Sequence, residues 1–248
     1  MAGILFIISA PSGSGKSTLV NEVRKQLSGI EFSVSYTTRP PRGSEQDGRE
    51  YHFITREEFE KRIAEGDFLE YAEVFGNYYG TSRQSLEQAR NEGHDLILDI
   101  DVKGAIQVRE RMPEAVSIFV MPPNPKVLRT RLRNRSRAEG HVNEAELYLR
   151  LGQASMEIEN YTQYGYILVN DVLDRAVAQL EAIVQAERFY RNDEPIAFRS
   201  RRVLEVAAAC LLSNSGERLR PALETFGLLT PNGQQQEQLS FEEDSDDD

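Results

Sequence analysis

Five consecutive apolar residues, Ile4-Leu5-Phe6-Ile7-Ile8, stop at Ser9-Ala10-Pro11-Ser12-Gly13-Ser14-Gly15-Lys16-Ser17-Thr18, and apolar positions then recur at Leu19, Val20 and Val23. A short β-branched run, a Gly/Ser-rich turn and a helical period read as strand, loop and helix. The alternation continues along the chain. Helices are predicted over 18–27, 56–65, 83–91, 125 to about 135, 143–160 and 173–190, and strands over 32–36, 67–74, 78–80, 95–101, 116–120 and 166–169. Some boundaries have a chemical cause. Thr55 precedes the helix at 56 with Glu58 three residues on, the spacing of a capping box. Met121-Pro122-Pro123 ends the strand before it, because proline has no amide to donate. Strands separated by helices predict an α/β fold on a parallel sheet, interrupted between about Ser33 and Thr81 by a strand-rich insertion.

At 248 residues, 40% of them hydrophobic, the chain can bury a core as one domain or as one domain with a small insertion. No apolar stretch approaches the roughly 18 residues of a membrane span, and the run at 4–8 is too short for the core of a signal peptide. A soluble, cytoplasmic protein is expected, with no membrane partner. Cys210 is the single cysteine and lies in an apolar run, so it reads as a small buried hydrophobe. The net charge of −11 is concentrated at one end: from Pro221 to Asp248 there are eight acidic residues and no Lys or Arg. The near-balanced remainder argues against a nucleic-acid surface.

The turn after the first strand has the residues of a phosphate-binding loop, Gly13, Gly15, Lys16 and Ser17, with Ala10 where the motif usually begins with Gly. Backbone N–H groups and the helix dipole converge there, so a polyphosphate can be cradled without long basic side chains. Lys16 supplies a point charge for the outer phosphates and the Ser17 hydroxyl a ligand for Mg2+. The alternative is a Gly/Ser turn that merely caps the helix through Ser12 or Ser14. Asp99 and Asp101 end the 95–101 strand two residues apart, so they share a face and are expected to point together into the cleft. Asp99 is assigned to the magnesium shell through water, and Asp101 to the acceptor base or to positioning it; the alternative for both is strand-end capping by acidic residues.

Arg39 and Arg42 flank Pro40-Pro41, which places two guanidinium groups on a stiffened loop suited to clamping a phosphate. Farther on, Lys126 to Arg137 holds six basic residues and no acid. A nucleic-acid patch, a solvated helix face and a lid over a triphosphate all fit that composition. The polar stretch 136–143 that follows, a mobile loop by its composition, favours the lid.

The loop Ser35-Tyr36-Thr37-Thr38-Arg39-Pro40-Pro41-Arg42 and the segment Gly76-Asn77-Tyr78-Tyr79-Gly80, in order behind the phosphate loop, resemble the guanylate kinase family. The resemblance covers about residues 5–188. It implies a P-loop nucleoside monophosphate kinase fold: a parallel-sheet core over 1–32 and 82–190 with helices on both faces, a GMP-binding subdomain over 33–81, and a mobile lid at about 131–150. A helical extension over 191–229 and an acidic, disordered tail over 230–248 would follow. The implied reaction transfers the γ-phosphoryl group of ATP to GMP with Mg2+. By resemblance, Arg39, Arg42, Tyr51 and Tyr79 would hold the GMP phosphate, and Ser35, Glu70, Thr81 and Asp101 would surround guanine. ATP would lie on Ala10, Pro11, Ser12, Gly13, Ser14, Gly15, Lys16, Ser17 and Thr18, with Asn170 beside adenine. Arg131 and Arg135 match lid arginines and Arg150 a third on the next helix. An apparent insertion of about four residues follows Arg135, and Arg137 is the alternative to Arg150.

Glu70 has a physical reason to be an acid. Guanine presents two adjacent donors, N1–H and its amino group, which an ionised carboxylate accepts as a parallel pair. Adenine presents an acceptor there instead, which leaves a buried carboxylate unpaired at a cost of roughly 1–3 kcal/mol. No general base is expected, since the acceptor phosphate is largely ionised at neutral pH; His52, His94 and His141 are read as structural or exposed. A non-catalytic binding module should have lost the phosphate loop, and a sugar-phosphate kinase would not need Glu70 and Thr81. Residues 195–212 suggest one more helix. The acidic tail is read as solvated, or as an arm that meets an unknown partner or the basic lid. Monomer and homo-oligomer fit the chain equally.

Overall fold

The computed structural model describes residues 3–138, 144–192 and 198–229. The first strand, β1 (Leu5–Ser9), is buried at every position because it lies mid-sheet with both faces covered. Around it a five-stranded sheet runs β2 (Ile30–Phe32), β7 (Asp95–Asp99), β1, β8 (Val116–Met121), β9 (Tyr166–Val169), all parallel. Alternate side chains enter different cores. Phe6 and Ile8 pack with Leu19 and Val23 of α1 (Lys16–Arg24), with Leu180 and Ile183 of α7 (Leu173–Asn192), and with Ala207 and Cys210 of α8 (Phe198–Cys210). Leu5 and Ile7 face Leu86 and Ala89 of α3 (Arg83–Glu92), Ala105 and Val108 of α4 (Val102–Arg111), and Leu219, Ala222 and Leu223 of α9 (Gly216–Thr225).

A second sheet, ordered β4 (His52–Phe53), β3 (Tyr36–Thr37), β6 (Asn77–Ser82), β5 (Phe68–Val74), rises from the first between β2 and α3. Its long hairpin β5–β6 turns at Phe75-Gly76, both with positive φ. The helix α2 (Arg56–Glu65) leans Phe59 on Phe68 and Tyr78, with ring centroids 4.4 and 5.1 Å apart. Thr55 Oγ1 accepts from the Glu58 N–H as the sequence predicts, while the Glu58 carboxylate turns to Arg62. The other two helices, α5 (Pro125–Ala138) and α6 (Glu144–Glu159), stand over the carboxyl ends of the strands.

Four expectations need correction. The strand predicted over 32–36 is two strands in different sheets, β2 and β3, because the chain leaves the core at Ser33. The strand predicted over 95–101 ends at Asp99, and α4 follows without a loop; Asp101 is its N-cap, accepting from the Gly104 N–H at 2.7 Å. Asp99 and Asp101 are therefore not successive same-face residues of one strand. Helix α1 begins at Lys16, since Gly15 caps it in the left-handed region at φ 87°. The segment 136–138 is the last turn of α5, and the remainder of the predicted polar loop, with His141, lies outside the described residues. The 230–248 tail lies outside them as well.

Candidate active site

Parallel pairing aligns the carboxyl ends of β1 and β7, with Ile8 opposite Asp99. The phosphate loop thus opens beside Asp99, at the edge where α/β sheets bind ligands. Lys16 Nζ lies 2.5 Å from Asp99 Oδ1 and donates to the Ile100 carbonyl at 2.7 Å. Two glycines shape the loop. Gly13 has φ 84°, and a Cβ there would stand 2.8 Å from Leu132 Cγ; Gly15 has φ 87°, and a Cβ would stand 2.6 Å from Asn170 Nδ2. The Ser14 carbonyl is held twice, by Asn170 Nδ2 at 2.9 Å and Arg131 Nη1 at 2.8 Å. Arg131 also donates to the Asn170 carbonyl at 3.0 Å, so both residues clamp the loop's outer wall.

One cleft of about 660 Å³ joins this loop to the second sheet. Of the residues singled out in the sequence, Ala10 to Thr18, Ser35, Arg42, Tyr51, Glu70, Tyr79, Asp99, Asp101, Arg131, Arg135, Arg150 and Asn170 line it. Arg39 and Thr81 stand one layer behind. Arg39 is 5% exposed, with Nη2 on the Glu45 carboxylate at 2.9–3.0 Å and its guanidinium carbon 5.4 Å from the centre of the Tyr51 ring. Glu45 also accepts from the Arg42 N–H at 2.7 Å. This acid, which the sequence reading passed over, ties both ends of the arginine loop, and its place three residues after Arg42 is the signal. Burial, and next the charge of Asp99, push the Tyr51 hydroxyl up to about 12, so the phenol remains a donor.

Glu70 lies opposite Thr81 in the β5–β6 ladder and is 3% exposed. Burial raises its carboxyl to about 7; bonding from Thr81 and the Arg111 charge oppose the rise, while Asp101 adds to it. The carboxylate sits on Gly104, where a Cβ would stand 3.0 Å from Glu70 Cδ. Helix α4 also grips β5 through Gln107, which donates from Nε2 to the Tyr71 carbonyl at 2.7 Å, and through Arg111, which donates to the Leu69 carbonyl. On α6, Arg150, Gln153 and Glu157 share a cleft-facing stripe at helical spacing. Gln153 donates to Glu157 at 2.9 Å, and the Ser12 amide also faces Glu157. The spacing from Arg150 marks both residues in the sequence. His94 bonds Glu31 at 2.9 Å and His52 stacks on Tyr36 at 4.6 Å, both away from the cleft lining.

A parallel core with a phosphate loop, a second small sheet that presents arginines and a buried acid, and basic helices over the same cleft define a P-loop nucleoside monophosphate kinase. The family model described as guanylate kinase matches residues 3–187. A guanylate kinase of Koribacter versatilis is 51% identical over 226 residues, 91% of this chain and 97% of that relative. One of Alkalilimnicola ehrlichii is 48% identical over 197 residues, covering 79% and 95%. The crystal structure of guanylate kinase from Anaplasma phagocytophilum superposes with a TM-score of 0.62 at 35% identity, over 75% of this chain and 86% of that one. The chain belongs to the guanylate kinase family.

Proposed function

We infer that the chain carries out its family's reaction, transfer of the γ-phosphoryl group of ATP to GMP to give ADP and GDP, in this cleft. The observation that carries the reading is the confrontation, across one cavity, of the phosphate loop with Lys16 and the buried carboxylate of Glu70. In this proposal Ala10 to Thr18 receive the triphosphate on their amides, with Asn170 beside adenine. Glu70 accepts N1–H and the amino group of guanine, helped by Ser35, Thr81 and Asp101. Arg42, Tyr51 and Tyr79 meet the GMP phosphate directly. Arg39 meets it by leaving Glu45, or supports Tyr51 from behind.

Ser17 and Asp99 offer a hydroxyl and a carboxylate, hard oxygen donors that suit Mg2+. When bound, Mg2+ would neutralise charge on the β- and γ-phosphates. Lys16 must exchange Asp99 for phosphate oxygens, and Arg131, Arg135 and Arg150 surround the transferring group. Catalysis is positioning and charge neutralisation, with no general base. A cytoplasmic location is proposed with the reaction, since both substrates are free nucleotides. The acidic tail is proposed to screen the outer face of α5, where Lys126, Arg129, Arg133 and Arg137 line one groove. Removing the tail should then change the rate at low salt and leave it unchanged at high salt. The central test is a panel of nucleoside monophosphates with ATP and Mg2+. GMP should turn over far faster than AMP or UMP, and equal rates would overturn the reading.

A further inference from the structure

Residues beyond the matched family region, 198–229, do more than pad the surface. Leu211 forms an antiparallel bridge with Tyr166, and the Leu212 N–H donates to the Gly165 carbonyl at 2.9 Å. Arg218 Nη2 reaches the Ile167 carbonyl at 2.6 Å, and Leu219, Ala222 and Leu223 are buried in the core beside Ile167. The segment is thus fastened to β9. Just past α9, Phe226 packs against that same core and also against a separate cluster of Leu128 and Leu132 from α5 with Leu147, Leu151 and Ala154 from α6.

That second cluster is the underside of the lid helices. Leu132 and Leu151 each directly follow a cleft arginine in the chain, Arg131 and Arg150. Leu132 and Leu128 also back the phosphate loop, since a Cβ on Gly13 would come within 2.8 and 3.1 Å of them. Close-packed side chains transmit displacement because no void absorbs it. One aromatic ring therefore joins a segment anchored to the sheet, the pair of arginine-bearing helices and, through their leucines, the phosphate loop.

We propose that Phe226 is a positioning residue for phosphoryl transfer: the C-terminal segment braces α5 and α6, and the aim of Arg131, Arg135 and Arg150 depends on a side chain that lines no part of the cleft. The proposal rests on the arginine roles proposed above. It differs from a general stability role, which any buried residue of α9 would share. Leu223 supplies that control, being 3% exposed and packed in the core cluster alone.

The test compares Phe226→Ala with Leu223→Ala in the full chain. Both variants should melt at lower temperature. In Phe226→Ala, amide exchange in α5 and α6 should quicken and kcat should fall on the order of 10- to 100-fold, with the KM for GMP unchanged because the second sheet is untouched. In Leu223→Ala, exchange in those helices and kcat should stay as in the parent. Equal falls in kcat in the two variants, or unchanged exchange in Phe226→Ala, would overturn the proposal. Faster exchange with unchanged kcat would overturn it too, and would locate the fault in the arginine roles. If Phe226→Ala does not fold, Phe226→Leu keeps a shorter apolar contact; it should lower kcat in the same sense, and an unchanged kcat would refute the brace.

Discussion

Glu70 couples guanine recognition to a proton. Its carboxyl titrates near 7 in the empty protein, raised from an ordinary 4.5 chiefly by burial. A folded-state value above the unfolded one means that the fold holds the proton more tightly. This contribution is therefore fully present below about pH 4.5 and is lost as pH rises through 7. At about 1.4 kcal/mol per pKa unit, the ionised carboxylate weakens the empty fold by about 3 kcal/mol. Guanine reverses the preference, because its two donors require the ionised form. With about half of the carboxyl ionised at pH 7 and about one-tenth at pH 6, guanosine affinity should fall roughly fivefold between them. Guanosine is the ligand of choice, since a phosphate itself titrates near pH 6. Calorimetry at pH 7 in buffers of different ionisation enthalpy should count about half a proton released per guanosine. Glu70→Gln should bind GMP about 10- to 100-fold more weakly, as expected for a lost charge-assisted bond of roughly 1.5–3 kcal/mol. The same variant should remove the decline in stability between pH 5 and 8. Guanosine affinity that stays flat from pH 6 to 8 without proton release would refute the reasoning.

Three further changes test separate parts of the molecule. Lys16→Ala should abolish transfer in a coupled ADP-release assay while circular dichroism shows an intact fold; retained turnover would remove Lys16 from the chemistry. Gly104→Ala places a methyl 3.0 Å from Glu70 Cδ, so the KM for GMP should rise about tenfold or more, with ATP affinity, read by titration, unchanged. Asp95 accepts from the Ile4 N–H and from Arg188 Nε, each at 2.7 Å, and is 6% exposed. Asp95→Ala leaves the Ile4 N–H without its acceptor while Arg188 keeps the Ser28 and Gly29 carbonyls, so it should cost about 1–3 kcal/mol in urea unfolding, and no measurable loss would contradict the pairing.

Elements whose ends carry their own chemistry were legible in the sequence. Helix α2 lies between Thr55 and Gly66 as expected, and β9 spans Tyr166–Val169 as expected. Most of the cleft lining was legible for the same reason, since glycines, arginines and acids are read one residue at a time. Helix α4 was missed because β7 passes into it with no Gly or Pro between, and Asp101 looks like a strand residue until its bond to Gly104 identifies a cap. With α4 hidden, Gly104 beneath Glu70 was hidden too. The layer behind the cleft was little more legible. That Phe226 packs against the cluster of Leu128 and Leu132 depends on packing between distant segments, which no local spacing encodes, whereas the turn of Arg39 to Glu45 has only the three-residue spacing after Arg42 as its signal.

The covering of β9 has a consequence for handling the protein. Among the described residues β9 is an outer strand of the parallel sheet, and Leu211, Leu212 and Arg218 occupy positions along it and at its start. An uncovered row of peptide groups beside apolar residues recruits strands from other molecules. A chain cut before α8 should therefore clump on refolding in proportion to its concentration, so yield, more than turnover of the surviving fraction, would report the loss.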